Sequence, residues 1–272
     1  GLAGFAETTA FQPGRASWKD TNGVHINAHG GGILFYEGVY YWFGEHKVAG
    51  PKGNTAQVGI RCYSSRSLYD WNDEGIVLAV SKDPDSEIVK GAILERPKVI
   101  YNDKTDRFVM WFHLELRGQG YASARTGVAV SERPTGPYRY LRSYRPNAQD
   151  TPVRGGDQTA LPNGEDYFRR DFEGGQMARD MTLFVDDDGT AYHLHASEEN
   201  QTLHVSELTP DYTSFTGRFS RVLPGGHNEA PAVFKHDGRY YLLSSGCTGW
   251  KPNAARLAAA DHMFGPWKPL PN

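Results

Sequence analysis

The chain has 272 residues, of which 39% are hydrophobic and 12% aromatic, and its formal net charge is −3. This charge gives no electrostatic basis for binding a polyanion, so we expect no nucleic-acid partner. No apolar stretch reaches the roughly 18 residues that a membrane-spanning helix requires, so we expect no membrane span.

Four hairpin patterns follow one another along the chain. Each joins two runs rich in Val, Ile, Phe, Tyr and Trp through a tight turn of Gly, Asp or Asn, which are the residues that such turns favour. The hairpins are predicted over residues 29–45, 95–113, 179–195 and 229–244.

A second pair of strands follows each hairpin. Four strands per unit, repeated at intervals of about fifty to eighty residues, are typical of propeller blades. The sequence therefore predicts an all-β propeller and a single domain over residues 1–272. The second pairs are predicted at 59–65 with 75–78, 127–131 with 138–141, 203–206 with 221–223, and 256–260 with 267–270.

Three carboxylates stand at the starts of these hairpins: Glu95, Asp180 and Glu229. The innermost strand of each blade lines the central channel of a propeller, so these side chains are expected to converge. Hydrolysis of a glycosidic bond needs one carboxyl to protonate the leaving oxygen and a second group to activate water. Taken singly, each acid is more simply an ion-paired turn residue, and Arg96 beside Glu95 favours that interpretation. Three acids at equivalent positions favour a site.

Other residues near the channel are candidates for holding a sugar. His29 and Arg96 stand at hairpin starts and are predicted to bind substrate hydroxyls. The ten histidines form no compact pair of the HExxH kind, so we predict no metal site. The two cysteines, Cys62 and Cys247, are interpreted as separate buried small side chains without a disulfide. The aromatic candidates for stacking on sugar rings are Trp42, Trp111, Tyr121 and Trp250.

These motifs resemble glycoside hydrolase family 43, and within it the exo-β-1,3-galactanases. The Ser64-Ser-Arg-Ser-Leu-Tyr-Asp-Trp71 and Glu229-Ala-Pro motifs are fairly specific to five-bladed glycosidases, and His29-Gly-Gly-Gly and Gly44-Glu-His narrow the branch. The resemblance covers nearly the whole chain. It rests on segments 24–33, 41–47, 64–71, 95–99, 179–184 and 228–234.

The resemblance implies an inverting mechanism in which Glu229 is the general acid and Asp180 tunes and orients it. It also implies that no cofactor is required, while a structural calcium ion in the channel is possible. Glu45 and Glu95 are the carboxylates left to activate water, and Glu95 is therefore counted with the catalytic residues. The positions implied to contact substrate are Glu45, Glu95, Tyr121, Asn200 and Thr248.

Two departures from the family pattern stand out. The wider family has an Asp in the first blade as general base, whereas the stretch from Asn27 to Gly32 has none, as in the galactanase branch. The resemblance implies five blades, but only four are evident in the sequence, so the fifth is missing or incomplete. Either a missing C-terminal segment or a partner segment completes the ring, or the protein is a four-bladed or inactive relative.

The sequence thus predicts an enzyme that acts from chain ends on β-1,3-linked galactan, the backbone of arabinogalactan. Two alternatives remain open: an α-L-arabinofuranosidase or β-xylosidase of the same family, and a propeller that binds carbohydrate without hydrolysing it. The partners expected are an oligosaccharide or polysaccharide substrate and either a carbohydrate-binding module or the missing C-terminal segment. A polysaccharide substrate implies a secreted or periplasmic location.

Overall fold

A computed structural model describes residue 11 and residues 18–249 and 251–271. These residues form four antiparallel sheets of four strands each, blades 1 to 4, and in each blade the strands lie in chain order. The predicted hairpins and second strand pairs are confirmed.

The strand bounds of the first two blades are as follows. Blade 1 consists of β1 (His29–Tyr36), β2 (Val39–Lys47), β3 (Gln57–Ser65) and β4 (Asn72–Ala79). Blade 2 consists of β5 (Ile93–Asn102), β6 (Arg107–Glu115), β7 (Arg125–Ser131) and β8 (Arg139–Tyr144).

The other two blades have the following strand bounds. Blade 3 consists of β9 (Met181–Val185), β10 (Ala191–Ser197), β11 (Thr202–Leu208) and β12 (Phe215–Val222). Blade 4 consists of β13 (Asn228–His236), β14 (Arg239–Gly246), β15 (Arg256–Ala260) and β16 (Lys268–Pro269).

Helical structure in the described residues is confined to two short segments outside the blades. A 3-10 turn spans Gly53–Ala56, and helix α1 spans Tyr167–Arg170 in the connection between blades 2 and 3. None of the described helices has the length and apolar character needed to cross a membrane.

The tight turns explain why the hairpins could be predicted from the sequence. Blades 1 and 4 each begin with a hairpin closed by two left-handed residues, Glu37-Gly38 and Asp237-Gly238. Two successive positive φ angles match the twist of the strands, and glycine adopts the second without steric cost.

Three apolar clusters hold neighbouring blades together. Phe43, Leu94 and Phe112 belong to the cluster between blades 1 and 2. Trp111 and Met181 lie between blades 2 and 3, and a third cluster joins blades 3 and 4. The first strands follow one another in the same order, with β1 against β5, β5 against β9, and β9 against β13. This confirms an all-β propeller arrangement with four blades; a fifth blade is not seen among the described residues.

The outward faces of blades 1 and 4 are apolar and uncovered in the described structure. On β1, Ile33 and Phe35 are 55% and 59% exposed, whereas the alternate residues of the strand pack against blade 2. On blade 4, Phe234 and Leu243 are 46% and 37% exposed. Each face therefore presents large apolar side chains of the kind that other blades bury against a neighbour.

A substitution at Gly31 tests how closely the first hairpin is packed. A Cβ atom there would lie 2.1 Å from the carbonyl oxygen of Phe43, which is backbone and cannot move aside. We expect Gly31→Ala to lower the free energy of unfolding by about 2 kcal/mol, the usual cost of overpacking. Urea unfolding measures the change. Gly174→Ala is the control, because a Cβ at Gly174 meets nothing within 4 Å, and equal losses in both variants would contradict the packing argument.

Candidate active site

In three blades the strand pairing is irregular at the same place, the start of the first strand. Pairing within the first hairpin slips between His29 and Gly32 in blade 1, and it slips at the equivalent places after Glu95 and Glu229. The residue after each of these three positions has a left-handed φ, 60° at Gly30, 55° at Arg96 and 48° at Ala230. Such bulges redirect side chains at the end of a strand.

Asp180 lies where blades 2, 3 and 4 meet. Arg96 donates through Nε to Oδ1 of Asp180 at 3.0 Å, and its Nη2 lies 2.9 Å from Oδ2. The backbone N–H of Ala230 donates to the same Oδ2 at 3.0 Å. Arg96, predicted to bind substrate, thus has its guanidinium on Asp180. Because Ala230 follows Glu229 in the chain, Asp180 also sets the position of the Glu229 backbone.

Glu229 is half-buried, and its hydrogen-bond partners are neutral groups. Asn200 donates through Nδ2 to Oε1 of Glu229 at 2.9 Å, and the thiol of Cys247 also contacts the carboxylate. Burial raises the pKa of Glu229, and the negative charge of Asp180 raises it further. A carboxyl with a raised pKa can carry a proton at neutral pH, as a general acid must.

Glu95 has a different environment, because His113 lies between it and a second acid. The ring nitrogens of His113 lie 3.2 Å from Oε2 of Glu95 and 2.7 Å from Oε1 of Glu115. Burial alone would lower the pKa of His113, but the two carboxylates raise it to about 9. Burial alone would raise the pKa of Glu95, yet contacts with His113 and Tyr121 lower it to about 2. Glu95 is therefore an ionised and weakly basic carboxylate.

Glu45 is the most buried of the candidate carboxylates. Its Oε2 lies 2.7 Å from Nζ of Lys47, and its Oε1 accepts the backbone N–H of Arg96 at 3.2 Å. Burial raises the pKa of Glu45 despite the neighbouring ammonium. The approach to Gly30 is so close that a Cβ there would lie 2.5 Å from Oε1 of Glu45, so the glycine in this motif makes room for the carboxylate.

A chain of polar contacts at the rim connects Glu45 with Glu95. Lys47 donates to Oδ1 of Asn54 at 2.8 Å, and Asn54 donates to the hydroxyl of Tyr121 at 2.6 Å. Tyr121 in turn donates to Oε1 of Glu95 at 2.7 Å. The structure thus brings together Glu45, Glu95 and Tyr121, as the sequence led us to expect.

The remaining predicted contacts lie at the edges of this group. His29 is exposed and pairs with Glu45 across the first hairpin. Thr248 is exposed in the loop after β14, where its hydroxyl donates to the carbonyl of Lys251 at 2.5 Å and accepts from Asn253 at 2.8 Å. The hydroxyl of Thr248 is therefore engaged within its own loop.

Asp180, Glu95 and His113 could be mistaken for a cation site. Their ligand atoms lie within 4.8 Å of one another. However, His113 faces a carboxylate with each ring nitrogen, and Asp180 is paired with the guanidinium of Arg96. Two positive groups already neutralise these acids, so this cluster does not fit a calcium ion, which requires six or more oxygen ligands.

The aromatic residues predicted to stack on sugar rings lie in different environments. Trp111 is fully buried between blades 2 and 3, so the stacking role proposed for it is wrong. Trp42 packs against Trp18, Tyr63 and Trp71 on the first blade. Only Tyr121 of the described candidates lies exposed beside Glu95, and Trp250 lies outside the described residues.

Sequence reasoning missed two groups of the site. Both cysteines are free, as predicted, but Cys247 contacts Glu229 instead of being an inert buried side chain. His113 was seen only as one of several histidines. His113 pairs with Glu95 across its hairpin as Glu45 pairs with His29, so the register of the second strand was an available signal for His113. Cys247 follows the end of β14, two residues beyond the partner of Glu229, and had no such signal.

Comparison with known proteins places this arrangement among glycoside hydrolases. A family model described as glycosyl hydrolases family 43 matches residues 165–272. A β-1,3-galactosidase of that family, solved with galactodeoxynojirimycin, is 54% identical, with a TM-score of 0.89, over 94% of this chain and 79% of the other. An exo-β-1,3-galactanase from Phanerochaete chrysosporium, solved with β-1,3-galactotriose, is 34% identical, with a TM-score of 0.76, over 93% of this chain and 52% of the other.

A curated relative is more distant. The β-D-galactofuranosidase of Aspergillus niger is 29% identical over 148 residues, which is 54% of this chain and 37% of that protein. The chain therefore spans about half of the fungal galactanase and little more than a third of the galactofuranosidase.

A substitution at His113 tests the buried charge cluster. In the folded protein the pKa of His113 is raised from 6.5 to about 9, so its stabilisation is complete below pH 6.5 and lost as pH rises through about 9. We expect His113→Gln to lower the free energy of unfolding by roughly 3 kcal/mol more at pH 6 than at pH 9.5. Urea unfolding across this range measures the difference, with the exposed His236→Gln as control. A loss that does not shrink at high pH would contradict the charge assignment.

Proposed function

The chain belongs to glycosyl hydrolases family 43, and we propose that it hydrolyses β-1,3-linked galactan from chain ends with inversion at the anomeric carbon. The observation that carries the proposal is the difference in charge environment among the site carboxylates. Glu45, Glu95 and Asp180 each contact a cationic side chain, whereas the hydrogen-bond partners of Glu229 are neutral. Glu229 is therefore the carboxyl best suited to carry a proton.

In this proposal Glu229 protonates the glycosidic oxygen as the bond breaks. Asp180 is paired with Arg96, and burial together with the negative charge of Asp180 raises the pKa of Glu229. Its bond to the Ala230 N–H holds the backbone that carries the acid. Asp180 thus acts on Glu229, while Arg96 acts on Asp180 and presents its remaining N–H groups to the sugar.

The carboxylates at the other side of the site suit substrate binding better than proton abstraction. Both oxygens of Glu95 and both of Glu45 already face donors, and Glu95 has a pKa of about 2. A carboxylate of such low basicity takes a proton from water poorly. We propose that Glu95, Glu45 and Tyr121 hold sugar hydroxyls, together with Asn200 and His29. Thr248 is included because its hydroxyl, which donates once and accepts once within its loop, can accept one more hydrogen bond.

A fifth blade completes the proposed catalytic domain. Large apolar side chains are exposed on two faces, Ile33 and Phe35 on blade 1 and Phe234 and Leu243 on blade 4. Such faces are expected to be covered by another sheet. We propose that this sheet packs between those two faces and carries the group that activates water.

We also propose that the protein is secreted or periplasmic, because its proposed substrate is a polysaccharide.

Galactose specificity is proposed from the relatives. The protein that is 54% identical is a β-1,3-galactosidase solved with galactodeoxynojirimycin, and the fungal galactanase was solved with β-1,3-galactotriose.

A second function follows from the occupied carboxylates. Without a group that activates water, the same channel would bind galactan and leave it intact. The contacts that engage both oxygens of Glu45 and of Glu95 favour this alternative for the four described blades.

Incubation with β-1,3-galactan tests the proposed function. We expect galactose to appear first as the α-anomer, as inversion requires, and Glu229→Gln to lower the rate about 10²- to 10⁴-fold, the usual contribution of a general acid. Proton NMR follows the anomer, and Glu132→Gln on the exposed surface is the control. Retained binding with no release in either protein would identify a carbohydrate-binding propeller, whereas a β-anomer would overturn inversion.

Substrate preference is tested by comparing β-1,3-galactan, arabinan and xylan at equal concentrations of reducing ends. We expect kcat/KM on galactan to exceed the others by at least about tenfold, because buried polar groups that match one sugar are left unpaired by another. Faster release of arabinose or xylose would assign the chain to the other branch of the family.

A further inference from the structure

The turn between β10 and β11 has an unusual backbone. Three successive residues, Glu198, Glu199 and Asn200, have left-handed φ angles of 52°, 55° and 62°. Each such conformation is unfavourable for a residue with a Cβ, and a run of three persists only where surrounding contacts hold it. The contacts of these side chains therefore decide whether the turn keeps its shape.

Glu198 anchors the turn in the interior. It is fully buried, and its carboxylate accepts from Nε and Nη2 of Arg221 at 2.7 Å each. Thr202 and His204 donate to the same carboxylate, both at 2.9 Å. Burial alone would raise the pKa of Glu198, but the hydrogen bonds from Arg221 and His204 lower it to about 2.

Arg221 is satisfied as completely as its partner. Its remaining N–H groups donate to the backbone carbonyls of Gly155, Gln158 and Thr159, at 2.7, 3.0 and 3.0 Å. The guanidinium also lies 5.3 Å from the centre of the Phe168 ring. A planar, bidentate pair with every donor used is rigid. It ties β12 and the segment 155–159 to the turn.

The other two residues of the turn reach towards the active site. Glu199 lies 3.0 Å from Arg170 and 3.2 Å from Arg179. Asn200 donates through Nδ2 to Oε1 of Glu229 at 2.9 Å, while its buried Oδ1 has no partner within the described residues. The same three left-handed residues thus place one side chain on a buried ion pair and another on the candidate acid.

We propose that the Glu198–Arg221 ion pair is a positioning device that holds the Asn200 amide against Glu229 in the geometry required for proton donation. This inference rests on the proposed role of Glu229 as general acid. Glu198 and Arg221 act through Asn200 and do not themselves touch the substrate.

The proposed contact between Asn200 and Glu229 predicts the direction in which the pKa of Glu229 changes when the contact is lost. An N–H donated to a carboxylate favours its ionised form, so Asn200 lowers the pKa of Glu229 and opposes Asp180. The other charged or titratable groups that face Glu229 are Arg96 from blade 2 and Cys247 at the end of β14. Displacing Asn200 leaves these groups unchanged and should raise the pKa of Glu229 by about one unit.

The experiment compares Glu198→Gln, Arg221→Lys and Asn200→Ala with the wild type. We expect the basic limb of the pH profile of kcat/KM to move up by about one pH unit in all three, and kcat to fall about tenfold to a hundredfold as the acid loses its orientation. The double variant of Glu198→Gln with Asn200→Ala should show no further shift, because both changes remove the same contact.

Carbon-13 NMR titration of the Glu229 carboxyl, assigned with Glu229→Gln, gives the same information without catalysis. It separates this inference from the proposed function, since a wild type that hydrolyses nothing still reports the pKa of Glu229. An unchanged titration in folded Glu198→Gln and Arg221→Lys would overturn the proposal.

Two further variants control for folding. Thr202→Val removes one hydrogen bond to Glu198 with little change of shape, and it should move the pKa of Glu229 in the same direction by a smaller amount. If the ion-pair variants fail to fold, Thr202→Val decides the matter, and no shift in it would overturn the proposal. Glu207→Gln breaks the exposed pair with Arg218 on the same two strands, β11 and β12, and should leave the titration unchanged.

Discussion

The contact between Asp180 and Arg96 is the interaction on which the site depends. Arg96 belongs to blade 2, Asp180 precedes the first strand of blade 3, and the Ala230 N–H bound to Asp180 belongs to blade 4. Three separate sheets therefore meet at one carboxylate. A partly buried, bidentate ion pair of this kind tolerates little movement, so the backbone beside Glu229 is held in relation to the channel.

Charge pairing around this contact separates one acid from the rest. Lys47, His113 and Arg96 each form an ion pair with one carboxylate, Glu45, Glu95 and Asp180 respectively. Glu229 instead meets an amide and a thiol, while the negative charge of Asp180 stays close. Environment, and not residue type, makes four similar carboxyl groups chemically different. The buried ion pair of Glu198 and Arg221, which we propose holds Asn200 in place, adds a second layer of residues that set the environment of Glu229.

Much of the fold was readable because strand hairpins are local. Tight turns such as Asp237-Gly238 and the alternation of large apolar residues mark each hairpin within about twenty residues. The candidate acids Glu95, Asp180 and Glu229 were also predictable, because the repeat places them at related positions. The contacts of Cys247 and His113 were not predicted, because a lone cysteine or histidine carries no repeat signal of its own, and which carboxylate each one meets depends on side-chain packing at the end of the hairpin.

The sequence by itself determined the four hairpins, the order of the blades and the side of the propeller on which the acids stand, because these follow from turn chemistry and from the two-residue period of strands. Only the tertiary structure decided which acid is neutralised by which cation, and that Glu198 lies buried on Arg221 while its neighbour Asn200 faces Glu229. A pKa depends on burial and on charges brought close by folding, and neither quantity is a property of the residue's place in the chain.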